Sequence, residues 1–207
     1  MKIITRFADD LEFLKQEIAW VTIRSTRLAA IEDQLEDAES TRHRSPTWGK
    51  RKNTAEVEVS SDLDAMLAEE QAFRSALDAR IEATEAAGIT LGLQHLVREH
   101  DLDDADRSTL LMCLMPCIGS RAAAPLERVG GYALTGYVSA EIVARFSEFG
   151  FGDRLRRLRF DSQHKLVQAK LIKGQLDDDA DAGEWPTCSI ALTNRGFATM
   201  TRLPVLL

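Results

Sequence analysis

The chain has 207 residues, 44% of them hydrophobic and 29% charged, with a formal net charge of -7. That is enough for one sizeable domain, or a small domain with a helical extension, and its acidity argues against a general polyanion binder while leaving room for a local basic face. No apolar run approaches the roughly 20 residues that span a bilayer, Met1 to Ile4 lead straight into charged residues without a signal-peptide pattern, and Cys113, Cys117 and Cys188 read as reduced, buried thiols; a cytoplasmic location is expected.

From Phe7 to Leu35 the apolar residues Phe7, Leu11, Leu14, Ile18, Val21, Leu28 and Leu35 fall in alternating steps of four and three, interrupted by Ser25 and Glu32. Such spacing keeps one seam of a helix facing a partner, in the manner of a coiled coil. Trp20, Ile23 and Ile31 widen the face, so this helix is expected to pack against more than one neighbour. The period vanishes over 39–61, where Arg42, Arg44, Lys50, Arg51 and Lys52 surround Trp48. We read this as a flexible basic loop; a stacking patch for nucleic acid is the alternative. Leu63, Leu67, Phe73, Leu77 and Ile81 then mark a second helix ending at Gly88. Residues 1–88 therefore predict an antiparallel helical hairpin, with a homo-oligomer through the same seams as the competing arrangement.

Gly92 to His100 predicts a short helix or turn. Asp101, Asp103, Asp104 and Asp106 precede the run Leu110 to Met115, placing acids at a helix N-terminus, where the dipole favours them. The helix itself is apolar nearly all round and is expected at the centre of the core, with Pro116 straining its last turn. Leu126, Val129, Tyr132 and Leu134 suggest a further helix interrupted by Gly130-Gly131. Ser139 caps another, carrying Ile142, Val143 and Phe146 and ended by Gly150-Phe151-Gly152.

The stretch from Phe160 to Met200 completes a shape. Asp161 or Ser162 is the expected N-cap of a helix with the stripe Leu166, Val167, Ala169, Leu171 and Ile172, closed by Gly174. An acidic tract follows, and Ile190 and Leu192 alternate as in a short half-buried strand. Asn194 and Gly196 turn the chain into a last helix. Helix, hairpin loop and strand in this order make the second half of a winged helix-turn-helix. The fold class is thus mainly α, with residues 89–207 as a winged-helix domain whose only β-structure is a small wing near 173–193. Leu111, Leu114, Ile142, Leu166 and Leu171 are the expected core.

Two resemblances follow from these residues. His164 to Gly174 with Ala191 to Met200 resembles the recognition helix, wing and closing helix of bacterial multiple-antibiotic-resistance (MarR-like) regulators, with Leu192-Thr193-Asn194-Arg195-Gly196 matching the closing segment. At the wing, Asp177, Asp178, Asp179, Asp181 and Glu184 stand where that family carries an arginine. Asp101 to Pro116 resembles the phrase that opens the N-terminal winged-helix region of bacterial AAA-family ATPases of the contractile-injection-system type, with Cys117 where an acid is usual and without the ATPase core.

The sequence carries few of the patterns that mark chemistry. No phosphate loop of the form G-x-x-x-x-G-K-[ST] occurs, and Gly150-x-Gly152 lacks the third glycine of a dinucleotide fingerprint. Counting from Asp177, glycine comes seventh and cysteine twelfth, against the glycine at six and glutamate at twelve of a calcium loop. Cys113 and Cys117 lack the paired spacing of a zinc site. No catalytic, cofactor-binding or metal-ligating residue is assigned, and no enzyme activity is expected. Two functions remain. In the first, the chain is a protein-interaction or regulatory module of an AAA-type ATPase system, with Asp177, Asp178, Asp179 and Asp181 meeting a partner of basic surface. In the second, Gln163, His164, Lys165, Gln168 and Lys170 face a major groove while Arg154, Arg156 and Arg157 hold phosphates. Five acids on a wing would repel the adjoining phosphates, so the interaction module is preferred.

Overall fold

The computed structural model describes residues 5–43, 61–148, 160–174 and 188–203. A long helix, α1 (Asp10–His43), runs through the core, and α2 (Ser61–Glu85) lies antiparallel along it. Partners fall in opposite order along the two helices: Arg80 meets Glu12, Arg74 meets Glu17 and Arg24 meets Glu70. The seam residues Phe7, Leu14, Val21 and Leu28 are buried, and so is Trp20 beside them. Leu11 and Leu35 remain exposed. Helix α1 touches α2 and four further helices, as its wide apolar face leads one to expect. It continues to His43, past the point where the apolar period fades; the remainder of the basic loop, 44–60 with Trp48, lies outside the described residues.

Next come α3 (Gly92–Glu99), α4 (Asp104–Ile118) and α5 (Ser120–Gly130). Asp103 caps α4 by accepting from the Ala105 and Asp106 amides, and Asp106 answers with a bond to the Asp103 amide, a reciprocal capping box. Every residue from Arg107 to Met115 is buried, so α4 is the core helix its composition predicts. The chain then passes through β1 (Val138–Ser139), α6 (Ala140–Phe146), a single turn α7 (Lys165–Gln168), β2 (Ile172–Gly174), β3 (Ser189–Leu192) and α8 (Asn194–Thr201). The sheet order is β1-β3-β2, antiparallel throughout, with Ile172 opposite Leu192 and Val138 opposite Ile190. Mainly helical architecture with a small wing sheet is what the sequence predicts. Leu111, Leu114, Ile142, Leu166 and Leu171 are all fully buried.

Several details differ from expectation. The sheet has a third strand, β1, because the two residues after Tyr137 extend against β3; two residues are too few for alternation to register. Helix α5 stops at Gly130, its C-cap Gly131 being left-handed, so Tyr132 and Leu134 lie beyond it. Helix α6 ends at Phe146 instead of at Gly150, which lies outside the described residues. Cys117 is exposed, unlike Cys113 and Cys188. The largest difference is α7. Asp161 spends its carboxylate on the Gln163 amide in a local turn, and His164 takes the N-cap, its Nδ1 accepting from the Leu166 amide. At the other end Lys170 turns left-handed at φ 57°. The Leu171 amide reaches back to the Leu166 carbonyl and the Lys170 amide to the Val167 carbonyl, a Schellman closure one turn after the helix began. Ile172 belongs to β2. Gly174 is no cap: its missing side chain lets the strand pass the Phe160 carbonyl, which an added Cβ would approach to 2.4 Å.

A buried ionic network binds the hairpin to the rest. Glu17, fully buried, accepts from Arg107 of α4 and from Arg74 of α2. Two turns on, Arg24 and Arg27 share Glu70 of α2 and Glu148 at the end of α6. Burial opposes the Arg27 charge, but hydrogen bonds to Glu70 and Glu148 outweigh it and hold the guanidinium above its ordinary value.

Removing one member of a buried charge pair leaves the other uncompensated, at a cost of about 3–5 kcal/mol. Glu70→Ala should lower stability by that amount in urea unfolding. Leu111→Ala and Leu171→Ala should each cost about 2–5 kcal/mol through the cavity they leave. Unchanged midpoints in the two leucine variants would place the core elsewhere.

Candidate functional site

In a fold of this order, the surface that most often meets a partner is the helix before the wing. Here that helix is α7, and the turn after it is fastened from outside. The Thr193 amide donates to the Leu171 carbonyl at 2.9 Å. The Thr193 hydroxyl reaches the Lys170 and Leu171 carbonyls at 2.7 and 3.0 Å, and also caps α8 by accepting from the Gly196 amide. A Cβ on Gly196 would come within 2.4 Å of the Leu171 carbonyl, so glycine there is what lets α8 close on the turn. The segment Leu192 to Gly196, singled out by resemblance, therefore clamps α7 in place. The sequence marks the segment but not the clamp, whose partners lie more than 20 residues away.

The five described candidates do not act alike. Gln163, Lys165, Gln168 and Lys170 are exposed, whereas the His164 ring stacks on buried Phe160, centroids 4.6 Å apart, and caps the helix. Lys170 occupies the left-handed closing position, which fixes its backbone but leaves its side chain in solvent. Lys165 is tethered: its Nζ donates to the Asp101 carbonyl at 2.8 Å and lies 3.9 Å from that residue's carboxylate. Arg154, Arg156, Arg157, Asp177, Asp178, Asp179 and Asp181 lie outside the described residues.

The tether reveals a neighbour that sequence reading treated only as a helix start. Asp101 and Asp106 stand beside the N-terminus of α7, and Asp106 feels the charges of His164 and Lys165. Burial, with repulsion from Asp103, pushes the Asp106 carboxyl above its ordinary value, against the pull of the Asp103 amide and the two basic residues. The face thus combines two exposed amides, a lysine tethered to Asp101, a second lysine, Lys170, open to solvent, and an acidic border. It can offer hydrogen bonds, and its acidic border sets a negative field against the two lysines. Among the described residues no group of three His, Cys, Asp or Glu assembles as a metal site, and burial pushes the Cys113 thiol up, keeping it protonated. No helix among them is long and apolar enough to cross a membrane.

A family model described as "Winged helix domain, variant" matches residues 2–198, spanning the hairpin as well as the sheet. No curated protein and no solved structure matches the chain.

Asp106 supplies a pH test. Its folded-state value lies above the ordinary 3.8, so its contribution to stability is fully present below that value and is lost as pH rises through the folded value. Asp106→Asn keeps an acceptor for the Asp103 amide but cannot ionise. Melting curves across the acid range should therefore show the variant gaining on the parent as pH rises above about 4, the ordinary aspartate value. A difference that stays flat would mean the carboxyl titrates normally.

Proposed function

Given that the chain belongs to the variant winged helix domain family, we propose that it is a non-catalytic protein-interaction or regulatory module, the N-terminal part of, or a partner to, an AAA-type ATPase system. The observation that carries this reading is the condition of α7. Four helical residues rise only about 6 Å, little more than one turn, so few side chains can reach base edges from it. The lysine on this short helix is committed to Asp101, and acids border it. Phosphates approaching this side would meet negative field, which costs a polyanion affinity at every contact. A basic protein surface would meet the same field favourably, gaining chiefly in association rate. The ATPase connection rests on the Asp101 to Pro116 resemblance, whose residues form most of the capped α4, buried from Arg107 to Met115.

The second reading, a MarR-like DNA-binding regulator, draws support from Gln163 and Gln168. Both are exposed, and amides of this kind pair with adenine edges. The arginines from 154 to 159 would then hold phosphates.

Binding to a randomised duplex pool, followed by fluorescence anisotropy at about 150 mM salt, roughly the physiological ionic strength, separates the two. The interaction module predicts non-specific affinity on the order of 0.1 mM or weaker. Changing Asp177, Asp178, Asp179 and Asp181 to Asn should slow association with a basic-surfaced protein partner and leave its dissociation nearly unchanged. Sub-micromolar, sequence-selective duplex binding by the unmodified chain would sink the proposal in favour of the regulator.

A further inference from the structure

An apolar groove of about 380 Å³ opens between α1, the end of α4, the start of α5 and the end of α8. Among the described residues it is lined by eight apolar side chains, with Thr201 and Lys15 as the two others. Leu14 and Leu114 are buried at its base, while Leu11, Ile118 and Leu203 stand exposed around it. Seven large apolar residues are exposed among those described, and three of them meet here. Scattered singly, such residues need no explanation; gathered around an apolar hollow, they mark a contact surface. The Thr201 hydroxyl is spent twice, donating to the Phe197 carbonyl at 2.8 Å and accepting from the Leu203 amide at 3.2 Å. Lys15 is exposed and can keep its ammonium in water along the rim. The groove thus offers apolar area and almost no hydrogen bonding, which suits a short apolar segment.

The chain delivers such a segment to this place. Helix α8 closes at Arg202, left-handed at φ 53°, whose Nε lies 3.3 Å from the Asp10 carboxylate at the start of α1. Leu203 follows, held by its bond to Thr201 and itself part of the lining. Next in sequence come Pro204, Val205, Leu206 and Leu207, which lie outside the described residues. A proline two positions past a C-cap cannot continue the helix. Four residues span at most about 14 Å, and the lining on α1 from Leu11 to Ile18 rises about 10 Å, so the reach is sufficient. One valine and two leucines left in water would forgo the gain of burial. Their point of attachment already lies in the groove, so docking is intramolecular and has the advantage over a free apolar ligand.

We propose that Val205, Leu206 and Leu207 fold back into this groove and cover it as an apolar strap. The strap closes a patch that would otherwise be open to a second copy of the chain or to another apolar partner. The inference does not rest on the reading of α7, and either can fail alone.

The test follows the reactivity of a thiol placed on the strap, in the full chain with exposed Cys117 changed to Ser; Cys113 and Cys188 are buried. Leu206→Cys should react with a maleimide about tenfold more slowly than a control thiol at the exposed position of Asp33→Cys, because a docked residue is modified only when it opens. Ile118→Asp, at a position 54% exposed, sets a charge beside the groove without disturbing the interior, and should return Leu206→Cys to the control rate. Changing Val205, Leu206 and Leu207 together to Ser should lower the melting temperature by roughly 4–8 °C. Equal labelling of the strap and control thiols would overturn the proposal, as would protection that survives Ile118→Asp. Protection that disappears on dilution, together with a dimer in light scattering, would overturn it by placing a second copy in the groove.

Discussion

Charge taken out of water, and made tolerable by partners from three helices, is the constraint on which this structure turns. Glu17 sits fully buried in α1 and must find cations; it finds them on α2 and α4 at once. Arg24 and Arg27 repeat the arrangement with Glu70 and Glu148, adding the end of α6. Apolar burial alone would allow α1 to slide or rotate along its neighbours, because a leucine is satisfied by many surroundings. A buried carboxylate is satisfied by few. The network therefore selects one register for the hairpin and fixes the helices of the winged helix relative to it. Its residues are separated by 43 to 124 positions along the chain, so register here is settled by tertiary contact.

What the sequence made legible was whatever repeats. The apolar run of α4, the Ser139 cap, the acids before α4 and the five core residues all follow from periodicity and short-range signals and stand in the structure, as does the seam of α1 apart from exposed Leu11 and Leu35. What escaped was set by contacts with no local trace. Nothing within ten residues of Lys165 announces Asp101 as its partner. The strand β1 is only two residues long and exists because β3 offers an edge. The segment around α7 departs from its sequence expectation for a similar reason. Its stripe of apolar residues is real, with Leu166, Leu171 and Ile172 all buried, but burial in a one-turn helix followed by a strand produces nearly the same pattern as burial on a longer helix. The deciding atoms were the Asp161 carboxylate, turned to its own neighbour, and the Thr193 hydroxyl.

The candidate face was legible only in part. Gln163, Gln168 and Lys170 are exposed as a surface reading requires, but His164 is occupied as a cap and Lys165 as a tether. Composition predicted a chain poor in positive field, and the geometry sharpens that prediction by setting the acidic start of α4 beside the helix. The same acids serve twice. They complete the orphan amides of α4, which is a matter of folding, and they colour the surface that a partner approaches.

The clamp on the turn after α7 carries a consequence for how such a domain can diversify. Its atoms come from Thr193 and Gly196, both beyond β3, so the shape of the turn is imposed from the far side of the sheet. The bonds described join Thr193 and Gly196 directly to Lys170 and Leu171. Sequence drift between the strands leaves these particular bonds in place. A lineage built on this plan is free to rewrite its wing for a new partner while the helix beside it keeps its place.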